Sequence, residues 1–210
     1  MEEYRQESAD FVPEYLSSLE ESVLEELSVR EKNYNFRFNG LRRLLRDVHQ
    51  QKLTRALERL QEDRLIQQSP DGGYGLGNET YDKVREYFDN QGLIHHYQEQ
   101  NSELKKILTT ITSEKEIPVE DLVKQLAGKY FGYYRFVGHF STDNKGRLEW
   151  IHVEDHSKIL ISTISQTEIE IESYNVKSET IERFIQLIRQ MLVNHQIFLQ
   201  IRRISTSHAN

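Results

Sequence analysis

The chain has no cysteine in 210 residues, which removes disulfides, thiolate zinc sites and cysteine nucleophiles together. That absence fits a reducing, cytoplasmic setting. No apolar stretch approaches the ~20 residues a membrane span needs, and the acidic N-terminus lacks the pattern of a signal peptide. The phosphate loop G-x-x-x-x-G-K-[ST], the dinucleotide fingerprint G-x-G-x-x-G and the nucleophile elbow G-x-S-x-G are all missing. Paired carboxylates such as Glu154-Asp155 are too common to carry weight. Nothing in the sequence supports an enzyme, and neither a cofactor nor a metal is expected. Positive charge is also scarce: 27 Lys and Arg face 34 Asp and Glu, a net charge of −7. At first sight that balance argues against a nucleic-acid partner.

The distribution of charge answers the objection. Residues 1–35 hold three Lys and Arg against ten Asp and Glu, and residues 65–210 hold 16 against 20. Residues 36–64 hold eight against four. A local patch rather than the overall isoelectric point sets affinity for phosphates. Within this basic island Phe38, Leu41 and Leu45 fall on one helical face, with Leu44 widening it. Leu53, Ala56, Leu57 and Leu60 then recur at i, i+3, i+4, i+7, the stripe of a helix packed on a small core. Only Arg46, Asp47 and Val48 separate the two segments, which predicts a tight helix-turn-helix corner. Leu65 to Gln68 and Tyr74 to Leu76 read as short strands around Ser69-Pro70-Asp71-Gly72-Gly73, residues that preset φ or tolerate φ > 0. Helix, turn, helix, hairpin is the winged-helix order.

The run Phe38-x-Gly-Leu, followed by His49-Gln-x-x-Leu-Thr-Arg-Ala-Leu-x-x-Leu-x-x-Asp-x-Leu-Ile66, resembles winged helix-turn-helix transcriptional regulators of the MarR/ArsR-like kind found in archaea and bacteria. The likeness covers about residues 13 to 90. It implies a DNA-binding regulator, on a fold that serves many roles. Arg64 departs from the pattern, standing where such proteins often carry glycine between the recognition helix and the first wing strand.

Around the motif, Phe11 to Leu27 predicts a helix with Tyr15, Leu16, Leu19, Val23, Leu24 and Leu27 inward, and Pro13 in its first turn. Asn33 to Arg37 is a connector or a short strand pairing with the wing. His49 takes the N-cap position of the second motif helix, as a cap or a phosphate neighbour rather than a base. With the apolar stripe inward, Gln51, Arg55, Glu58 and Glu62 point outward, flanked by Lys52, Thr54 and Arg59. Gln51 and Arg55 are candidates for base edges, since Gln pairs bidentately with adenine and Arg with guanine. Lys52, Arg59 and, on the preceding helix, Arg42, Arg43 and Arg46 suit phosphates. Tyr74 on the wing is a further candidate DNA contact, although the wing carries no Lys or Arg beyond Arg64 at its base.

Tyr81, Val84, Tyr87 and Phe88 predict a short helix broken at Asn90-Gln91-Gly92. From about Leu93 to Thr112 a second helix is expected, with Ile94, Tyr97, Asn101, Leu104, Leu108 and Ile111 at alternating spacings of three and four. That spacing is either a homodimer seam or a helix lying on its own domain. Past Ile117-Pro118 the period changes. Pro118 to Leu126 reads as a short helix ended by Gly128. Tyr134-Phe136-Gly138-Phe140, Leu148-Trp150-His152, Lys158 to Ser165 and Thr167 to Tyr174 alternate as strands. A long helix from Ser178 to about His195 buries Ile181, Phe184, Ile185, Ile188, Met191 and Leu192; Ile197 to Ile204 is a final strand, and Ser205 to Asn210 a frayed tail. His139, His152, Asp155 and His156 are the best metal-like set but match no zinc spacing. The aromatics from Tyr130 to Phe140 either fill a core or line a small-molecule pocket.

The sequence thus predicts an α+β protein of three parts: a winged helix-turn-helix domain over 1–90, a helical, dimerising connector over 91–116, and an antiparallel sheet with a long helix over 117–210, for sensing or assembly. Its expected partner is double-stranded DNA, bound by a homodimer, with no membrane association. The alternative is a winged-helix protein–protein interaction module in a cytoplasmic assembly. A small-molecule effector has no support from sequence.

Overall fold

The computed structural model describes residues 16–46, 48–94, 106–113, 115–193 and 199–207, which fall into two compact units, Met1–Gln100 and Asn101–Asn210. The first opens with helix α1 (Ser18–Ser28), whose start is set by a capping box. Glu20 N donates to Ser17 Oγ at 3.3 Å and Ser17 N to Glu20 Oε2 at 2.7 Å, so two otherwise unpaired donors are satisfied reciprocally. Leu16 and Ser17 are therefore outside the helix, a later start than the apolar pattern predicts; the expected turns from Phe11 to Tyr15 lie outside the described residues. Val23, Leu24 and Leu27 form the buried stripe.

Strand β1 (Asn35–Phe36), helix α2 (Phe38–Leu44), helix α3 (Gln50–Glu62), strands β2 (Ile66–Gln68) and β3 (Tyr74–Leu76), and helix α4 (Tyr81–Asn90) follow in order. β3 pairs antiparallel with both neighbours: Phe36 faces Tyr74, and Ile66, Gln67 and Gln68 face Leu76, Gly75 and Tyr74. Gly75 is required in this ladder, because a Cβ there would lie 2.6 Å from the Tyr34 carbonyl oxygen. Phe36, Leu41, Leu53, Leu60, Val84 and Phe88 are wholly buried and draw α2, α3, α4 and β1 onto one core. Buried Tyr81 donates its hydroxyl hydrogen to the Arg30 carbonyl at 2.6 Å and accepts from Arg85 at 2.7 Å.

Both ends of the motif use left-handed residues. Arg46 turns the corner after α2 with φ of 56°, its N–H donating to the Arg43 carbonyl. At the end of α3, Arg64 takes φ of 58°; its N–H reaches the Gln61 carbonyl at 3.0 Å, and the Leu65 N–H reaches the Leu60 carbonyl at 2.9 Å. That pair of bonds is a Schellman cap, closed by buried Leu60 and Leu65. The non-glycine cap predicted to be a departure is accommodated, at the steric cost of a left-handed L-residue. Arg64→Gly should therefore raise stability by about 0.5–1 kcal/mol, the left-handed penalty less the extra unfolded-state entropy of glycine. A urea midpoint that stays put or falls would show that the Arg64 side chain contributes more than its backbone costs.

The elements of the second unit are β4 (Lys106–Ser113), α5 (Val119–Leu126), β5 (Tyr134–Ser141), β6 (Gly146–His152), β7 (Lys158–Ser165), β8 (Glu168–Tyr174), α6 (Ser178–Val193) and β9 (Leu199–Ser207). Its strands form a sheet in the order β5-β6-β7-β8-β4-β9, antiparallel throughout. Leu122 and Leu126 of α5, with Ile181, Phe184, Ile185, Ile188 and Leu192 of α6, pack on one sheet face, where Trp150, Ile159, Ile161, Ile169 and Ile171 meet them. An α+β protein results.

Three expectations are corrected here. The helix expected to run to Thr112 is not one over its last residues: Lys106–Ser113 is strand β4, inserted between β8 and β9. Ile107, Thr109 and Ile111 are buried while Leu108, Thr110 and Thr112 are half-exposed, a period of two carried by β-branched residues. Ile111 belongs to the core of this unit, so the seam that argued for a homodimer loses its C-terminal half. Tyr97, Asn101 and Leu104 lie outside the described residues. Second, a β-bulge between Phe136 and Gly138 resets the alternation of β5. His139 rather than Gly138 therefore stands opposite core Leu148, and it is buried. Third, residues 205–207, expected to fray, continue β9, with Ser207 opposite Lys106.

Candidate nucleic-acid interface

Helix α3 presents one apolar and one polar side. Leu53, Ala56, Leu57 and Leu60 are buried, and Gln51, Lys52, Arg55, Glu58, Arg59 and Glu62 are exposed. Gln51, Lys52 and Arg55 occupy its first two turns, where no acid interrupts them; Glu58 and Glu62 hold the last two. Thr54 is half-buried and its hydroxyl donates to the Gln50 carbonyl at 3.0 Å. Arg42 and Arg43 sit in the last turn of α2, where cations also complement the helix dipole, and Arg43 donates to the Asn39 carbonyl at 3.2 Å. Arg46 is exposed at the corner.

Arg59 is placed differently from its neighbours. Its Nη1 lies 3.6 Å from Oε1 of Glu20, a carboxylate only 3 % exposed that also caps α1. Burial works against ionisation of Glu20, but the hydrogen bonds from Ser17 and the Arg59 charge outweigh it and hold the carboxyl below its ordinary pKa. The Arg59 side chain, itself 70% exposed, thereby joins α3 to α1. His49 does stand at the N-cap of α3, yet its side chain makes no cap bond. Its carbonyl instead accepts from Lys52 N and Leu53 N at 2.9 and 3.2 Å, so the expected imidazole cap is corrected to a backbone one.

The hairpin holds Tyr74 half-buried within the three-stranded ladder, its backbone engaged on both sides. The tip is ordered by its own side chains: Gly73 N donates to Ser69 Oγ at 2.9 Å, and Gly72 takes φ of 81°. Sequence reasoning overlooked Arg37. Its guanidinium reaches the tip from beyond β1, with Nη2 2.9 Å from Asp71 Oδ2 and Nη1 donating to the Asp71 carbonyl. A hairpin without its own cations thereby carries one at its tip, already paired. The signal was present in the single acid of the turn and the cation next to the strand that pairs with it.

In the second unit His139 is buried on β5, His156 is exposed, and His152 Nδ1 lies 3.1 Å from Asp155 Oδ1. Among the described residues no three His, Asp or Glu side chains come together as a metal site. Nor is any described helix long and apolar enough to cross a membrane.

No protein-family model matches the chain, and no curated protein matches its sequence. Among solved structures it is similar to an IclR transcriptional regulator from Alicyclobacillus acidocaldarius, at 11% identity over 84% of this chain and 95% of that one, with a TM-score of 0.28. It is also similar to the repressor BlcR of Agobacterium tumefaciens, at 10% identity over 82% of this chain and 92% of that one, with a TM-score of 0.25. Likenesses this weak carry no argument about what this chain does, which rests on its own residues.

Proposed function

We propose that the chain is a DNA-binding transcriptional regulator whose first unit is a winged helix-turn-helix with α3 as its recognition helix. One observation carries the reading: the first two turns of α3 expose Gln51, Lys52 and Arg55 together, within the basic island of an acidic chain. A helix end of that kind enters the major groove, where Gln51 and Arg55 read base edges. Lys52, Arg42, Arg43 and Arg46 hold phosphates on either side. Arg59 acts chiefly as a strut to α1, and the wing contributes shape more than charge. The regulator binds two half-sites as a homodimer, and Lys106–Ser113, being strand, supplies no part of a helical seam between the copies.

The competing reading is a protein-interaction module, favoured by the acids Glu58 and Glu62 on the same helix side. Mobility shift on a pool of genomic fragments separates the two. About four phosphate contacts per subunit imply a slope of log K against log salt near −3.6 for each half-site engaged, a roughly 150-fold loss of affinity per half-site between 50 and 200 mM salt. Absent or salt-independent binding would reject the DNA reading.

A further inference from the structure

The second unit contains a cleft of about 510 Å³, lined where β5 begins, β6 and β8 end, and α6 starts. Thr180, Arg183, Phe184 and Leu187 line it from α6, at the i, i+3, i+4, i+7 spacing of one helix face. Opposite them stand Phe131, Tyr133, Tyr134 and His152. Two features separate this cleft from a packing fault. Large apolar side chains are left in water at its walls, Tyr133 at 63% exposure and Leu187 at 43%, although the rest of α6 buries its apolar stripe. The polar floor is fully built: Tyr134 Oη and Ser157 Oγ are 2.8 Å apart, and Asp155 Oδ1 accepts from Ser157 N at 2.9 Å while lying 3.1 Å from His152 Nδ1.

Charge at the mouth indicates the occupant. Asp155, the acid lining the cleft, is engaged by Ser157 and His152. Lys177 and Arg183 also line it, and among the described residues neither cation has a hydrogen-bond or ion-pair partner. Four aromatic rings and one imidazole form walls suited to a flat body, at a volume typical of small-molecule sites. We propose that this cleft binds a small aromatic anion, its ring lying among Phe131, Tyr133, Phe184 and Leu187 and its anionic group held by Lys177 and Arg183. The site stands independently of the DNA reading.

The test uses the full chain and 1-anilinonaphthalene-8-sulfonate, a fluorescent aromatic anion, beside its uncharged relative N-phenyl-1-naphthylamine. One saturable site is expected for the anion. Lys177→Ala/Arg183→Ala should weaken the anion at least tenfold and leave the neutral probe within twofold. Leu187→Asp, at an exposed position where folding should survive, should weaken both, with circular dichroism confirming the fold. 2-Naphthoate should displace the anion, and inorganic phosphate or decanoate at equal concentration should not. Absent saturable binding, equal affinity in the double variant, or displacement by phosphate or decanoate as effective as by naphthoate overturns the proposal. Retained binding in Leu187→Asp does so as well, by moving the probe elsewhere on the molecule.

Discussion

Trp150→Ala should destabilise the second unit by about 3–5 kcal/mol, the range for emptying a buried large aromatic site. Trp150 is wholly buried at the centre of an aromatic cluster, its ring meeting Phe131, Phe136 and Phe184 edge-on at centroid distances of 5.3, 5.4 and 5.7 Å. Its indole N–H also donates to the Lys129 carbonyl at 2.9 Å, tying the segment between α5 and β5 to the sheet. Trp150→Phe keeps most of the ring contact and loses that bond, so a smaller cost of about 1–2 kcal/mol is expected. Urea unfolding followed by far-ultraviolet circular dichroism gives both values. The wild-type fluorescence of this single tryptophan assigns the affected transition. A loss below about 1 kcal/mol for the alanine variant would mean that the ring does not sit in the core that orders the unit.

Under the proposed DNA reading, Lys52→Glu/Arg55→Glu is expected to abolish duplex binding, with an affinity loss on the order of 100-fold or more at 100 mM salt. The reversal replaces two exposed cations of the first two turns of α3 with two anions, which a polyanionic duplex repels. Stability should not suffer: both side chains are exposed, glutamate is a good helix former, and acids near a helix N-terminus suit its dipole. Circular dichroism and a urea midpoint must therefore match the wild type. Arg55→Ala alone then separates reading from holding. On a selected site it should cost about 1–3 kcal/mol and cost less on random duplex. Equal losses on both would reassign Arg55 to the phosphates, and unchanged binding by the double reversal would move the interface off α3 altogether.

The two halves of the chain were not equally legible. In the first, the periodic stripe Leu53, Ala56, Leu57 and Leu60 predicted both where α3 lies and which side it buries, because one helix face on a small core leaves no other register. The position of the hairpin followed from turn residues that only a few geometries accept, while its register, Ile66 opposite Leu76, came from the pairing itself. Between the units the same reasoning failed. Ile94, Tyr97, Asn101, Leu104, Leu108 and Ile111 match a heptad by spacing, but Ile107, Thr109 and Ile111 match a strand equally well, and local periodicity cannot choose between them. What chose for Lys106–Ser113 was the pairing of β4 with β8 and β9, a contact between residues up to a hundred positions apart. The bulge after Phe136 was hidden for a related reason, since one extra residue leaves no mark on composition yet exchanges the faces of His139 and Phe140.

Residue order alone determined the local matters: the α+β character, the basic island, the inward stripe of α3, and the absence of cysteine chemistry. Each follows from interactions within about a dozen residues, where propensity and periodicity act directly. Tertiary structure decided what distant residues do to one another. It drew Arg59 to Glu20, brought Arg37 to Asp71 at the hairpin tip, and left Lys177 and Arg183 beside a ring-lined cleft. Spacing along the chain carries no information about such meetings, because they depend on how whole elements pack, and packing is settled only when every face finds its partner at once.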